Sequence, residues 1–148
     1  MVVPHQFYAL SWDEFDADCK ILAEKLAAIR PWHSMVAITR GGLFPAGLIA
    51  SWLNIRRIDT ICLKTREDDH SQSDPTLLKP LADGWDDAGL LIIDDLVDSG
   101  LTAQLVRDFF PSAHFASPYA KPAGRPFADT IVREFDQDVW IQFPWEKE

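Results

Sequence analysis

The chain has 148 residues, 47% hydrophobic and 25% charged, the balance of one globular domain (1–148) with a core of its own rather than of a disordered chain. Its net charge of −9 argues against nucleic acid and against a polybasic membrane anchor, since both need a basic face. An anionic small molecule stays open if backbone N–H groups or a metal ion hold it.

In chain order, the start MVVPHQFYAL lacks the basic region and cleavage site of a signal peptide, so none is expected. Ser11 and Glu14 form a capping box, and Phe15, Cys19, Leu22, Leu26 and Ile29 follow at helical spacing. The pattern predicts a helix that ends at Pro31. Met35–Thr39 reads as a buried strand that runs into a turn at Arg40-Gly41-Gly42. Pro45 suits the first turn of a second helix, which passes through Leu48 and Leu53 and stops near Asn54. This apolar stretch, Leu43 to Leu53, is the longest in the chain and far short of the ~20 residues a membrane span needs.

Ile58–Leu63 predicts a second strand. Lys64 to Asp87, with REDDHSQSDP, Pro80 and Gly84, reads as a long loop of the kind that is often functional. Gly89–Ile93 is the strongest strand signal. A helix with Leu105, Val106, Phe109 and Phe110 on its apolar stripe ends at Pro111. A strand over about His114–Ala120 reaches Lys121-Pro122, and Asp138–Phe143 is rich in β formers. The order predicts an α/β fold, an open and mostly parallel sheet flanked by helices. Cys19 and Cys62 form no CxxC pair, and histidines 5, 33, 70 and 114 lack zinc-ligand spacing, so two reduced thiols in a reducing cytoplasm are expected.

Ligands of such sheets bind beyond the carboxyl ends of the strands. Three polar segments fall there: Arg40-Gly41-Gly42, Asp94 to Thr102, and Lys121. Asp94 and Asp95 alone fit an acidic turn that caps the next helix. They also fit a sugar diol or Mg²⁺, since unpaired carboxylates are costly to bury. Asp98-Ser99-Gly100-Leu101-Thr102 adds a third acid, two hydroxyls and a glycine at a helix N-terminus, an anion-binding nest.

Ile92 to Thr102 resembles the 5-phosphoribosyl-1-pyrophosphate (PRPP) signature of the type I phosphoribosyltransferases. Ala37–Leu43, Asp59–Cys62, Ala120–Pro126 and Trp140–Trp145 extend the resemblance to bacterial xanthine-guanine phosphoribosyltransferases. It implies that fold with a mobile hood loop over Lys64 to Lys79. It implies purine salvage: transfer of the phosphoribosyl group of PRPP to N9 of guanine, xanthine or hypoxanthine, with Mg²⁺. It also implies a homotetramer or dimer and a cytoplasmic location, loosely at the inner face of the cell membrane. Asp98 to Thr102 would hold the 5′-phosphate. Asp94 and Asp95 would meet the ribose hydroxyls, with Asp95 beside the metal. Arg40-Gly41 would bind pyrophosphate through a peptide that is cis in relatives. Asp98 would be the general base at purine N7, and Lys121 would donate to O6. Trp140, for which core packing is the simpler use, would stack on the base, and the Ile141 carbonyl would meet the 2-substituent.

Three departures stand out. Leu101 replaces a frequent Gly, Ser99 replaces a frequent Thr, and Lys64-Thr65-Arg66 stands where the hood commonly begins with Ser-Tyr. Lys64, Arg66 and Lys79 are the hood's candidate cations. A PRPP-binding regulatory domain without catalysis is the alternative; it would lack a base pocket. A phospho-receiver domain fits poorly, because its acidic pair comes early in the chain.

Overall fold

The computed structural model describes residues 6–64 and 76–147. Ten strands and three α-helices follow one another among these residues in the order β1 (Gln6–Ala9), α1 (Trp12–Ala27), β2 (Ser34–Ile38), α2 (Leu43–Leu53), β3 (Arg57–Lys64), β4 (Thr76–Lys79), β5 (Leu91–Ile93), β6 (Leu96–Val97), α3 (Leu101–Phe109), β7 (His114–Ala116), β8 (Tyr119–Ala120), β9 (Arg133–Glu134) and β10 (Val139–Gln142). The main sheet has the order β4-β3-β2-β5-β7, with β3, β2, β5 and β7 parallel and β4 antiparallel at the edge. Two small parallel sheets, β1-β10 and β6-β8-β9, complete the fold.

The central strands are buried on both faces, which is why they read as continuous apolar runs rather than as alternation. Met35, Ala37, Leu91 and Ile93 point to one side, into a core closed by Phe15, Cys19, Leu22 and Leu26 of α1 and Ala46 and Ile49 of α2. Val36, Ile38, Ile61 and Ile92 point to the other, with Phe115 and with Ala103 and Val106 of α3. Burial pushes the Cys19 thiol up to about 12, and neither Cys19 nor Cys62 is in a disulfide. Among the described residues no helix is long and apolar enough to cross a membrane.

The capping box forms as expected: Glu14 N donates to Ser11 Oγ at 3.0 Å, and Ser11 N donates back to the Glu14 carboxylate at 3.4 Å. The helix stops earlier than Pro31, however. Ile29 N takes a shortened bond to Leu26 O, and the Trp32 indole donates to the same carbonyl at 2.8 Å, which ends the turn and leaves Ile29 half exposed. Phe109, expected on the buried stripe of α3, is exposed in the same way at the end of its helix. The strand expected over His114–Ala120 is two strands. Pro118 has no N–H for a ladder, and its carbonyl accepts from Val132 N and Arg133 N, which redirects the chain into the β6-β8-β9 sheet. That sheet is tied to α1: Tyr119 Oη donates to Asp18 at 2.7 Å, and Arg133 meets Asp18 and Glu14, each at 3.4 Å.

The long loop holds a strand, β4, that hairpins back on β3. Lys79 Nζ donates to Asp59 at 3.1 Å and to Thr60 O at 2.6 Å, so this candidate hood cation is engaged on β3. Residues 65–75, which make up most of the expected hood, lie outside the described residues.

Candidate active site

The turn after β2 is closed by Gly42 N to Ile38 O at 2.8 Å and Leu43 N to Arg40 O at 3.0 Å, while Thr39 stays on the sheet through Ile61 O. Its cis peptide is Thr39–Arg40, one bond before the Arg40–Gly41 peptide expected from relatives, and the Arg40 carbonyl is the one that closes the turn. Arg40 is exposed, with no carboxylate partner among the described residues. A Cβ on Gly41 would stand 2.1 Å from Asp95 Oδ2, so the turn and the acidic pair are in direct contact.

Asp94 and Asp95 follow β5. Asp94 N donates to Ala116 O of β7 at 3.1 Å, and Asp94 Oδ1 accepts from Asp95 N at 2.9 Å. Burial holds the Asp95 carboxyl above the usual carboxylate range, and the nearby charge of Glu146 pushes the same way. Among the described residues no three His, Cys, Asp or Glu side chains stand together as metal ligands. Paired carboxylates in acidic surroundings suit a hydrated dication, which takes one or two carboxylates and completes its shell from ligand oxygens.

The segment Asp98 to Thr102 curls around a cavity of about 70 Å³, lined also by Asp94, Val97 and Ala103. Gly100 makes the curl possible at φ +89°, with the Phe127 ring packed where a side chain would start. Ser99 Oγ accepts from Leu101 N, the first N–H of α3, at 3.2 Å, and the N-cap Gly100 and the first turn of the helix line the cavity. Leu101, in place of the frequent Gly, is the first residue of α3 and half-buried.

Lys121 comes after β8 and is only 5% exposed. Its Nζ donates to Asp98 Oδ2 at 3.3 Å, and its N–H to Val97 O. Trp140 is 54% exposed, whereas Ile141 beside it is buried. A cavity of about 230 Å³ is lined by Asp95, Asp98, Lys121, Trp140, Ile141 and neighbours, and one of about 660 Å³ by Arg40, Gly41, Asp95, Trp140 and others. The two share Asp95, Trp140 and Glu146 and so form one cleft. Arg40, Gly41, Asp94, Asp95, Asp98 to Thr102, Lys121, Trp140 and Ile141 therefore all lie on this cleft or on the adjoining nest, whereas the candidate hood cation Lys79 does not. Sequence reasoning missed Phe44, Glu146 and Gln137. Trp145, quoted only as part of a motif, is stacked between Phe44 at 4.1 Å and Phe143 at 4.6 Å, which pins the segment after β10 to the start of α2.

Residues 11–148 match the family model described as the phosphoribosyl transferase domain. The chain belongs to the phosphoribosyltransferase family. Its fold is the type I phosphoribosyltransferase fold, and purine phosphoribosyltransferases are among the structures it resembles. It is similar to the purine phosphoribosyltransferase of Pyrococcus horikoshii Ot3, with 26% identity over 96% of this chain and 95% of that one and a TM-score of 0.80. Two further structures share the fold. The xanthine-guanine-hypoxanthine phosphoribosyltransferase of Helicobacter pylori has 20% identity over 95% and 93% of the chains, TM-score 0.74. A Neisseria gonorrhoeae protein with bound ppGpp has 19% identity over 99% and 91%, TM-score 0.79.

Proposed function

We propose that this family member, with residues 1–148 acting as one domain, is a purine salvage enzyme. It transfers the phosphoribosyl group of PRPP to N9 of guanine, xanthine or hypoxanthine and releases pyrophosphate. The observation that carries the reading is Lys121, a buried ammonium whose Asp98 partner is half exposed at the cleft. A buried amine is costly to keep charged unless its donors are used. Lys121 lines the same cavity as Asp98 and the exposed Trp140. An O6 acceptor suits its donors, whereas the adenine amino group brings a donor against a donor. A tryptophan that merely filled the core would be buried; Trp140 is not, so its face is open to a purine. A regulatory domain that only bound PRPP would have no use for this second half of the cleft.

The nest, Asp98 to Thr102, takes the 5′-phosphate on the free N–H groups at the start of α3. Asp94 and Asp95 accept from the ribose hydroxyls. Arg40 and the backbone of Gly41 lie across the cleft, where pyrophosphate departs. As the C1′–oxygen bond breaks and the C1′–N9 bond forms, positive charge grows on the ribose and negative charge on the leaving group. Arg40, on the same cleft, supplies the positive charge that stabilises the second. Asp98 Oδ2 accepts the N7 proton as Lys121 turns to O6. The Ile141 carbonyl meets the 2-substituent. Asp95 would hold Mg²⁺, which supplies neutralisation of the pyrophosphate charge when bound. A dimer or tetramer of this chain belongs to the same reading.

The test is pyrophosphate release from PRPP and Mg²⁺ with each purine base supplied separately. Release with at least one 6-oxopurine and none with adenine is expected. No release with any 6-oxopurine, or equal release with adenine, overturns the reading.

A further inference from the structure

Gln137 lies in the turn between β9 and β10, exposed, in a segment that no motif singles out. Both ends of its amide are used. Oε1 accepts from Ala123 N at 2.9 Å, and Nε2 donates to Asp98 Oδ1 at 2.8 Å. The orientation is not arbitrary: only the carbonyl end can meet the Ala123 N–H, so the NH₂ end faces the carboxylate. The other Asp98 oxygen, Oδ2, is the one paired with Lys121 at 3.3 Å.

One side chain thus joins three segments. Asp98 opens the nest. Ala123 belongs to the turn that Gly124 N and Arg125 N close on Lys121 O. Gln137 itself lies three residues before Trp140. The first two are already in close contact, since a Cβ on Gly124 would stand 2.8 Å from the Asp98 carbonyl. The Asp98 side chain is 52% exposed, so packing alone does not fix its carboxylate. Two different donors, one on each oxygen, do.

We propose that Gln137 is a positioning residue of the base site: it holds Asp98 Oδ1, so that Oδ2 alone is turned to the purine, and it locks that orientation to the Lys121 turn and the strand that carries Trp140. The inference rests on the reading of Asp98 as general base. As Lys121 swings from Oδ2 to the purine, Gln137 keeps its bond, and the carboxylate does not rotate at the moment it takes a proton. Geometry held in this way is a recurrent source of rate.

The test uses Gln137→Glu and Gln137→Ala in the full chain. The first keeps the acceptor for Ala123 N and sets a negative charge against Asp98. The second removes both bonds without adding charge. In both, kcat with the preferred purine falls about 10- to 100-fold, the scale of a hydrogen bond to a charged group, with the PRPP KM and the thermal midpoint unchanged. Nucleoside monophosphate affinity gives a second readout. The penalty of Gln137→Glu is about tenfold beside Asp98 and vanishes beside Asp98→Asn, whose amide donates to the new carboxylate. An active wild type with either variant as fast as it, or a penalty equal in both backgrounds, overturns the role of Gln137 and leaves the enzyme reading intact. A fall in kcat matched by a rise in PRPP KM and a lower thermal midpoint shows a structural role and overturns it too. An inactive wild type overturns the enzyme reading and this inference with it.

Discussion

Gly41 and Gly42 are neighbours in one turn, yet a methyl group added to each should have opposite consequences. At Gly41 the new Cβ would stand 2.1 Å from Asp95 Oδ2, against the 3.4 Å at which ordinary contact begins, so the carboxylate must retreat by about 1.3 Å. What gives way is the far end of one side chain at a cleft wall, so Gly41→Ala should cost stability only at the low end of overpacking, about 1 kcal/mol. The retreat removes Asp95 from the place where ribose oxygens and the metal are to meet it. PRPP–Mg²⁺ affinity should fall by at least tenfold, the scale of losing one hydrogen bond to a charged group at about 1.5–3 kcal/mol. At Gly42 the same methyl meets backbone instead: Ile38 O at 2.5 Å and Ile93 O at 2.6 Å. Neither can move without parting β2 from β5, so Gly42→Ala should cost more than about 3 kcal/mol, beyond the usual range of overpacking. Thermal unfolding and calorimetric titration with PRPP–Mg²⁺ separate the two. The reasoning is refuted if Gly41→Ala binds PRPP like the wild type, or if it unfolds as readily as Gly42→Ala.

Lys121→Met keeps the volume and removes the buried charge; because Asp98 is half exposed and can be rehydrated, stability should change by under about 1 kcal/mol while the 6-oxopurine KM rises about tenfold or more and the PRPP KM does not. Steady-state kinetics with each substrate varied in turn checks this. Asp98→Asn should retain PRPP binding and lose about 10²–10⁴-fold in turnover, the usual worth of a positioned acid–base group, as read by single-turnover assay. His114 is held below the ordinary histidine range, first by burial and then by the charges of Arg30 and Arg107, with Asp129 opposing. Its neutral form, bonded to Thr130 at 2.8 Å, is thus the folded one. Its contribution is present above the unfolded value of about 6.5 and is lost as pH falls through the lower folded value. The thermal midpoint should therefore drop on acidification from pH 7 to 5, and less steeply in His114→Gln.

Elements that bury their own pattern were legible. α1 shows its cap at Ser11 and its stripe behind it, and β2 from Met35 onward and all of β5 are apolar because both faces are covered. The nest was legible because Asp98 to Thr102 is contiguous. β1 was not: Gln6–Ala9 is mostly exposed and is a strand only through its ladder with β10. β6, β8 and β9 are two residues each, too short for any period to register, and their pairing follows from the redirection at Pro118. Gln137 carries no signal at all, since a surface glutamine in a turn looks the same whether or not a carboxylate waits across the cleft. The roles of Lys121, Trp140 and Ile141 came from resemblance rather than from composition or spacing.

The pairing of β1 with β10 bears on how the molecule is made. A chain synthesised from its N-terminus carries Gln6–Ala9 with an unsatisfied edge until Val139–Gln142 has emerged to meet it. The nest has the same dependence on later residues, because the ring that supports Gly100 is Phe127 and the amide that holds Asp98 is Gln137. A nascent chain that already contains the whole signature from Ile92 to Thr102 therefore lacks the groups that shape it. The groups that shape the site are thus the last to emerge, Phe127 first and Gln137 after it, and a ribosome paused before Val139 leaves the β1 edge without its partner.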